Sequence, residues 1–202
     1  MSDGINGTML LEEQMKQVFG TMNSLRKRKE LCDIILNVDT RQIFAHRIVL
    51  ASFSPYFYAM FTTDLAEKRQ SSVTLKAIDA HSVELLVEFA YTAQIEISDS
   101  NVQNLMSVSS IFQVAVVQKA CCKFLESQLD PRNCIGIMRF AQSYNCVNLA
   151  DRAKDYCFRY FNEMSKQEEY LNLDNEQVSY FIRRDELFVQ SEDEVKFSKI
   201  IR

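Results

Sequence analysis

Glycine is scarce in this chain, with only Gly4, Gly7, Gly20 and Gly136 in 202 residues. Their positions allow no G-x-G-x-x-G dinucleotide turn, no G-x-x-x-x-G-K phosphate cradle and no G-x-S-x-G nucleophile elbow. Histidine is scarcer still, at His46 and His81 alone. The six cysteines (Cys32, Cys121, Cys122, Cys134, Cys146, Cys157) form no C-x-x-C pair. A tetrahedral metal site therefore has no ligand spacing to start from, and neither a metal nor another cofactor is predicted. The cysteines fall in or beside apolar runs and read as reduced, small hydrophobic residues. Ser, His and Asp all occur, but His46 reads as a hydrogen-bonded structural residue and His81 sits in a polar helix-start loop, so no catalytic residue is assigned.

Long apolar runs are missing too. No window approaches 18 uninterrupted apolar residues, and the start MSDGINGTMLLEEQ has neither a basic opening nor a long apolar stretch followed by small residues. No membrane contact is predicted, and the expected location is the cytoplasm, with the nucleus as the alternative. A basic surplus is absent as well. Net charge is -4, with 12 basic and 14 acidic residues up to Leu129 and 11 and 13 beyond it. Nucleic-acid binding needs a basic face. The single cluster, Arg26-Lys27-Arg28-Lys29, is offset by Glu12, Glu13 and Glu30 and reads as a solvated bend, so no nucleic-acid partner is predicted.

The remaining balance, 47% apolar and 25% charged, is that of an ordinary globular protein of one large or two small domains. Residues 1–10 read as a flexible N-terminus. From Leu11 to Leu25, Met15, Val18, Phe19, Met22 and Leu25 keep helical spacing. Asp33 to Val38 and Arg41 to Ala45 are β-prone runs joined by Asp39-Thr40, which predicts a hairpin with Ile34, Leu36 and Val38 on one face. A brief helix follows at Val49 to Ser52, and Pro55 opens another. Ser72 to Ile78 alternates like a strand, Val83 to Tyr91 carries a helical stripe, and Ile95 to Ile97 reads as a short strand. From Asn101 on, every signal is helical, with Asp130-Pro131 as cap and first-turn proline. Mixed α and β gives way to pure α near residue 129. The helical spacing of Val195, Phe197 and Ile200 is cut off at Arg202, which suggests a piece of something longer.

The stretches LCDIILNV, FAHRIVLASFSPYFYAMFTTDLAEK and VELLVEFAYTAQIEI closely resemble the BTB (POZ) domain. FLESQLDPRNCIGIMRFAQSYNC, KQEEYLNL and RRDELFVQSEDEV resemble the BACK domain of kelch-like proteins. The resemblance implies an α+β BTB/POZ domain over residues 11–129, a small mixed sheet flanked by helices, followed by an all-α BACK helical domain, truncated, over residues 130–202. It implies a non-catalytic substrate adaptor of a cullin-3 RING ubiquitin ligase. In such adaptors the BTB domain homodimerises and grips the cullin, BACK extends the grip, and a kelch domain absent from this chain holds the substrate protein.

Carried onto this sequence, Leu65-Ala66-Glu67 stands at the family's hydrophobic-x-Glu cullin-contact motif. Tyr56, Phe57, Met60 and Phe61 lie beside it; some must be core, while Tyr56, Phe57 and Phe61 are assigned to the cullin-contact surface, with Tyr56 and Phe61 as the side chains left available to a partner. Leu129 to Phe140 aligns with the three-box, where Leu129, Pro131 and Asn133 join the cullin surface and Pro131, Asn133 and Cys134 set the helix start. Met15, Phe19, Met22 and Leu25 form the stripe that packs across a two-fold axis in relatives; a monomer that folds this stripe back onto its own sheet is the competing reading. Asp33 and Arg47 fall at the charged pair near that interface, where mutual pairing is the preferred reading. Two other functions stay open: a BTB transcriptional regulator that recruits a corepressor, and a propeller-less dominant-negative dimeriser.

Overall fold

The structure, a computed structural model, describes residues 7–63 and 70–182. Leu65, Glu67 and the segment with Val195, Phe197 and Ile200 lie outside the described residues. The chain divides into two compact units, Met1–Gln118 and Lys119–Arg202.

In the first unit, helix α1 spans Gly7–Lys27, so it opens four residues before the apolar stripe and includes part of the stretch read as a flexible terminus. It ends where Lys29 takes a left-handed conformation (φ 61°). There the Glu30 and Lys29 amides reach back to the Leu25 and Arg26 carbonyls at 2.9 Å each, the six-to-one and five-to-two pattern that closes a helix. The basic run is thus a helix end and bend, but not a solvated one throughout, since the Arg26 side chain is largely buried against Glu88.

Strands β1 (Ile34–Val38) and β2 (Arg41–Ala45) pair antiparallel, with Ile34 opposite Ala45 and Val38 opposite Arg41. Asp39 supplies the left-handed turn residue (φ 50°) that aspartate tolerates better than most. Strand β3 (Ser72–Leu75) joins β1 in parallel, giving the order β2-β1-β3. Ile34, Leu36 and Val38 are buried together, as the alternation predicts. Helices α2 (Arg47–Phe53), α3 (Pro55–Thr62), α4 (Ala80–Thr92) and α5 (Val102–Ile111) complete the unit, and α6 (Ala115–Ser127) crosses into the second. Pro55 opens α3 behind the Ser54 cap.

Ile95–Ile97 is not a strand. A local side chain takes up part of the backbone here instead: the Asn101 carboxamide donates to the Glu96 carbonyl at 3.0 Å and accepts the Ser98 amide at 2.9 Å. Side chains that bond nearby backbone in this way compete with a ladder, and the two isoleucines are half-buried without one.

One carboxylate holds α1 to α4. Glu88 accepts from the Asn23 amide at 3.0 Å, from the Lys27 ammonium at 2.9 Å and from the Arg26 guanidinium. Burial alone pushes the Glu88 carboxyl up, but the Asn23 and Lys27 hydrogen bonds and the Arg26 charge outweigh it and hold it below the ordinary range.

The second unit is helical: the end of α6, α7 (Cys134–Ser143), α8 (Val147–Arg159), α9 (Phe161–Met164), α10 (Glu168–Leu171) and α11 (Asn175–Ile182). Gly136, in the first turn of α7, donates its amide to Glu169 Oε2 at 3.0 Å, and a Cβ there would come within 2.7 Å of the other Glu169 oxygen. The KQEE segment thereby caps α7 from a distance.

Two outcomes are expected. A carboxylate with a depressed pKa stabilises above its unfolded value, 4.5 for Glu88, and that stability is lost as pH falls through the folded pKa. Urea titrations of wild type and Glu88→Gln should therefore differ at neutral pH and converge in acid; an equal gap at both pH values contradicts the tie. Replacing Gly136 with Ala gains about 1 kcal/mol of helix propensity but displaces a charged hydrogen bond of about 1.5–3 kcal/mol. Thermal melts should show Gly136→Ala destabilising in wild type by roughly 1 kcal/mol and stabilising in a Glu169→Ala background.

Candidate pairing and docking surfaces

The first part of the α1 stripe is left exposed, while its C-terminal end packs beside α4 and β2. Met15 is 61% exposed, Val18 44% and Phe19 39%, while Met22 and Leu25 are half-buried. Beside them Ile48, on the short helix α2, is 69% exposed. Phe19, Met22, Ile48, Val49, Phe53 and Ala90 line a groove of about 290 Å³. These side chains leave an apolar surface open beside the groove. Ile48 was missed in the sequence because RIVLASF is apolar at successive positions and names no outward residue; in the structure Leu50 is fully buried and Ile48 turns outward.

Asp33 and Arg47 are joined, each through the other's main chain. Asp33 Oδ1 accepts the Arg47 backbone amide at 2.7 Å, and Arg47 Nε donates to the Asp33 carbonyl at 3.3 Å. Asp33 itself is exposed. Its carboxylate lies at the start of α2, where the first amides lack intrahelical partners. Arg47 also donates to the Gln70 carbonyl and lies 4.7 Å over the Phe61 ring. His46 is structural as expected: its backbone amide donates to the Tyr91 hydroxyl at 2.9 Å, and Nδ1 lies 2.8 Å from the same oxygen. Burial pushes the Tyr91 phenol up to about 12, against the lowering effect of the His46 amide and the Arg26 charge.

Helix α3 corrects the expectation that Phe57 and Phe61 face a partner. Both are buried. Phe57 packs on Phe112 at 4.7 Å and on Phe61 at 5.8 Å, and Met60 joins them in the core. Tyr56 is half-buried, stacked on Phe112 at 5.3 Å. The exposed aromatic is Tyr58, at 59%. The run PYFYAMF is apolar on every side, so helical spacing alone does not choose the outward face.

The segment between α6 and α7 also departs from expectation. The helix starts at Cys134, not at Pro131. Asp130 accepts the Arg132 amide at 3.0 Å and Arg132 Nε at 2.7 Å, which makes a turn rather than a cap. Asn133 accepts the Asp130 amide at 2.9 Å and donates to the Gln128 carbonyl at 2.8 Å. Its carboxamide therefore shapes the turn, leaving Leu129 and Pro131, both half-buried, as the apolar surface it presents. Phe140 is half-buried against Tyr144 at 4.8 Å.

Among the described residues, no group of three or more His, Cys, Asp or Glu is placed to hold a metal ion, and no helix is long and apolar enough to cross a membrane.

The chain matches the family described as BTB/POZ domain over residues 22–129 and that described as BTB And C-terminal Kelch (BACK) over residues 134–201. It is 47% identical over 177 residues, 88% of its length, to kelch-like protein 17 of Homo sapiens. It is 46% identical over the same share to kelch-like protein 17 of Mus musculus and of Rattus norvegicus. It spans 28% of the length of each of these relatives. In fold it is similar to the BTB domain of zebrafish PATZ1, with a TM-score of 0.53 at 23% identity, covering 57% of this chain and 94% of that one. A small mixed sheet among helices, followed by helices alone and matched in that order by the two families, makes the chain a member of the BTB/POZ family with a BACK segment of the kelch-like kind behind it.

Proposed function

We propose that this chain is the self-pairing and scaffold-contacting portion of a kelch-like adaptor for a cullin-3 RING ubiquitin ligase. The reading rests most on one observation: BTB and BACK segments follow each other at 47% identity to a kelch-like relative. The exposed apolar groove of α1 and α2 suits homodimerisation. On the scaffold side, Leu65 and Glu67 carry the motif, with Tyr58 on α3 of the same unit as its companion; the Leu129–Asn133 turn of the second unit is a separate proposed contact. Leu65 would seat in an apolar pocket and Glu67 would lie at the rim, the usual division of a protein interface.

No catalytic group is required of such an adaptor. It accelerates transfer by holding a substrate lysine near the charged ubiquitin carrier, which turns an encounter into an effectively intramolecular step. Pairing would double the substrate arms and raise their effective concentration. Substrate choice would fall to a kelch domain outside these residues, and the site of action to the cytoplasm or nucleus. The BACK match disfavours the corepressor-recruiting alternative, whose members usually follow BTB with zinc fingers.

Mixed with the N-terminal domain of cullin-3 on a sizing column, the chain is expected to co-elute, and Leu65→Asp with Glu67→Ala should abolish the shift. Intact binding by that double variant overturns the motif assignment. The burial pattern adds a contrast within α3. Tyr58→Ala should weaken binding about tenfold or more, roughly 1.4 kcal/mol, at unchanged stability, whereas Phe57→Ala should cost about 3–5 kcal/mol of stability. Calorimetry and denaturant titration read the two separately.

A further inference from the structure

Strand β2 is an edge of the sheet, whose order is β2-β1-β3. Which of its main-chain groups face outward follows from the register. The Ile35 amide donates to the Ser71 carbonyl at 3.0 Å, on the β3 side, so Ile34, Leu36 and Val38 turn their main-chain groups to β2, opposite Ala45, Ile43 and Arg41. The two-residue turn at Asp39-Thr40 demands the same phase, since Val38 and Arg41 close it. Gln42 and Phe44 are left with amide and carbonyl pointing away from the sheet, and among the described residues no hydrogen bond takes up those four groups.

This edge opens into a groove of about 380 Å³, walled by the end of α1 and by α4. Both Ile43 and Phe44 line it. Successive side chains point to opposite faces of a strand, so the groove follows the edge itself rather than one face of the sheet. Its charges are unequally matched. Glu88 pairs with Arg26 and Lys27, and Glu84 with Arg41. Lys29, held left-handed (φ 61°) just past α1, has its ammonium 4.6 Å over the Phe44 ring, and among the described residues no carboxylate pairs with it.

We propose that the β2 edge is a docking site for an extended, acidic segment of another protein, which joins the sheet as a further strand beside β2. The spacing of the free groups selects that class of ligand. Gln42 and Phe44 present their amides and carbonyls about 7 Å apart, the two-residue repeat of a strand, which an extended chain matches group for group. A carboxylate on the incoming strand pairs with Lys29. Its neighbour in sequence, on the opposite face, is apolar and packs on Leu85, which is half-buried and brought to the groove by α4. Lysine on an edge opposes indiscriminate pairing, because covering its ammonium without a counter-charge is costly. The residue that guards the edge thereby chooses an acidic partner. None of these residues belongs to the self-pairing or scaffold-contacting surfaces.

The test is two-dimensional amide NMR of the full chain, titrated with a blocked hexapeptide that alternates glutamate and valine. Saturable shifts and slowed hydrogen exchange at the Gln42 and Phe44 amides are expected below roughly 1 mM peptide. The N-methylated peptide, which keeps every side chain but has no backbone donor, should bind about tenfold more weakly or worse. Lys29→Glu, an exposed substitution, should cost the same with the original peptide and gain affinity for its lysine–valine counterpart. The proposal is overturned if the two amides show no saturable response, or if the N-methylated peptide binds as well as the original. Undiminished binding of the glutamate peptide by Lys29→Glu overturns it, as does protection of the Gln42 and Phe44 amides before any peptide is added, which would mean that the edge is already covered.

Discussion

The tie between Glu88 and the last turns of α1 governs how the first unit meets its surroundings. Asn23, Arg26 and Lys27 all converge on that carboxylate, and the Arg26 guanidinium also lies 5.0 Å over the Tyr91 ring. Tyr91 in turn holds His46 at the start of α2. One polar cluster therefore sets the direction of α1, the position of α2 and the line of α4. With its C-terminal end held, α1 carries Met15, Val18 and Phe19 into solvent beside Ile48. Leaving that much apolar surface exposed is costly in water, and a second copy of the same face would cover it.

Where a sequence signal was one-sided, it was readable. Alternating burial placed the β1–β2 hairpin and its core face, and Pro55 and the spacing of α4 and α8 placed helices, because each depends on a period that a few residues define. The signal failed where two physical accounts share one pattern. Ile95 and Ile97 are β-prone, yet Asn101 satisfies the backbone around them. Asp130-Pro131 looks like a helix start, yet the Asp130 carboxylate and Asn133 carboxamide close a turn first. In α3, aromatics on every side concealed that Phe57 and Phe61 turn inward and Tyr58 outward. The Asp33–Arg47 link was legible as a pair, though not that each residue uses the other's backbone.

The second unit depends on single residues placed at helix ends. Glu169 reaches across from α10 to the first turn of α7, where only a residue without Cβ admits it. Asn145 lets the chain turn from α7 into α8 within a few residues. These devices are nearly invisible in composition, since each depends on one residue at one place.

The most direct test of the central claim is the mass of the chain in solution, read by sedimentation equilibrium across a range of low micromolar concentrations. A mass of twice 23.5 kDa, falling to that of one chain when Phe19 and Ile48 are replaced by aspartate, is the expected result. A wild-type chain that stays at 23.5 kDa throughout contradicts self-pairing through α1.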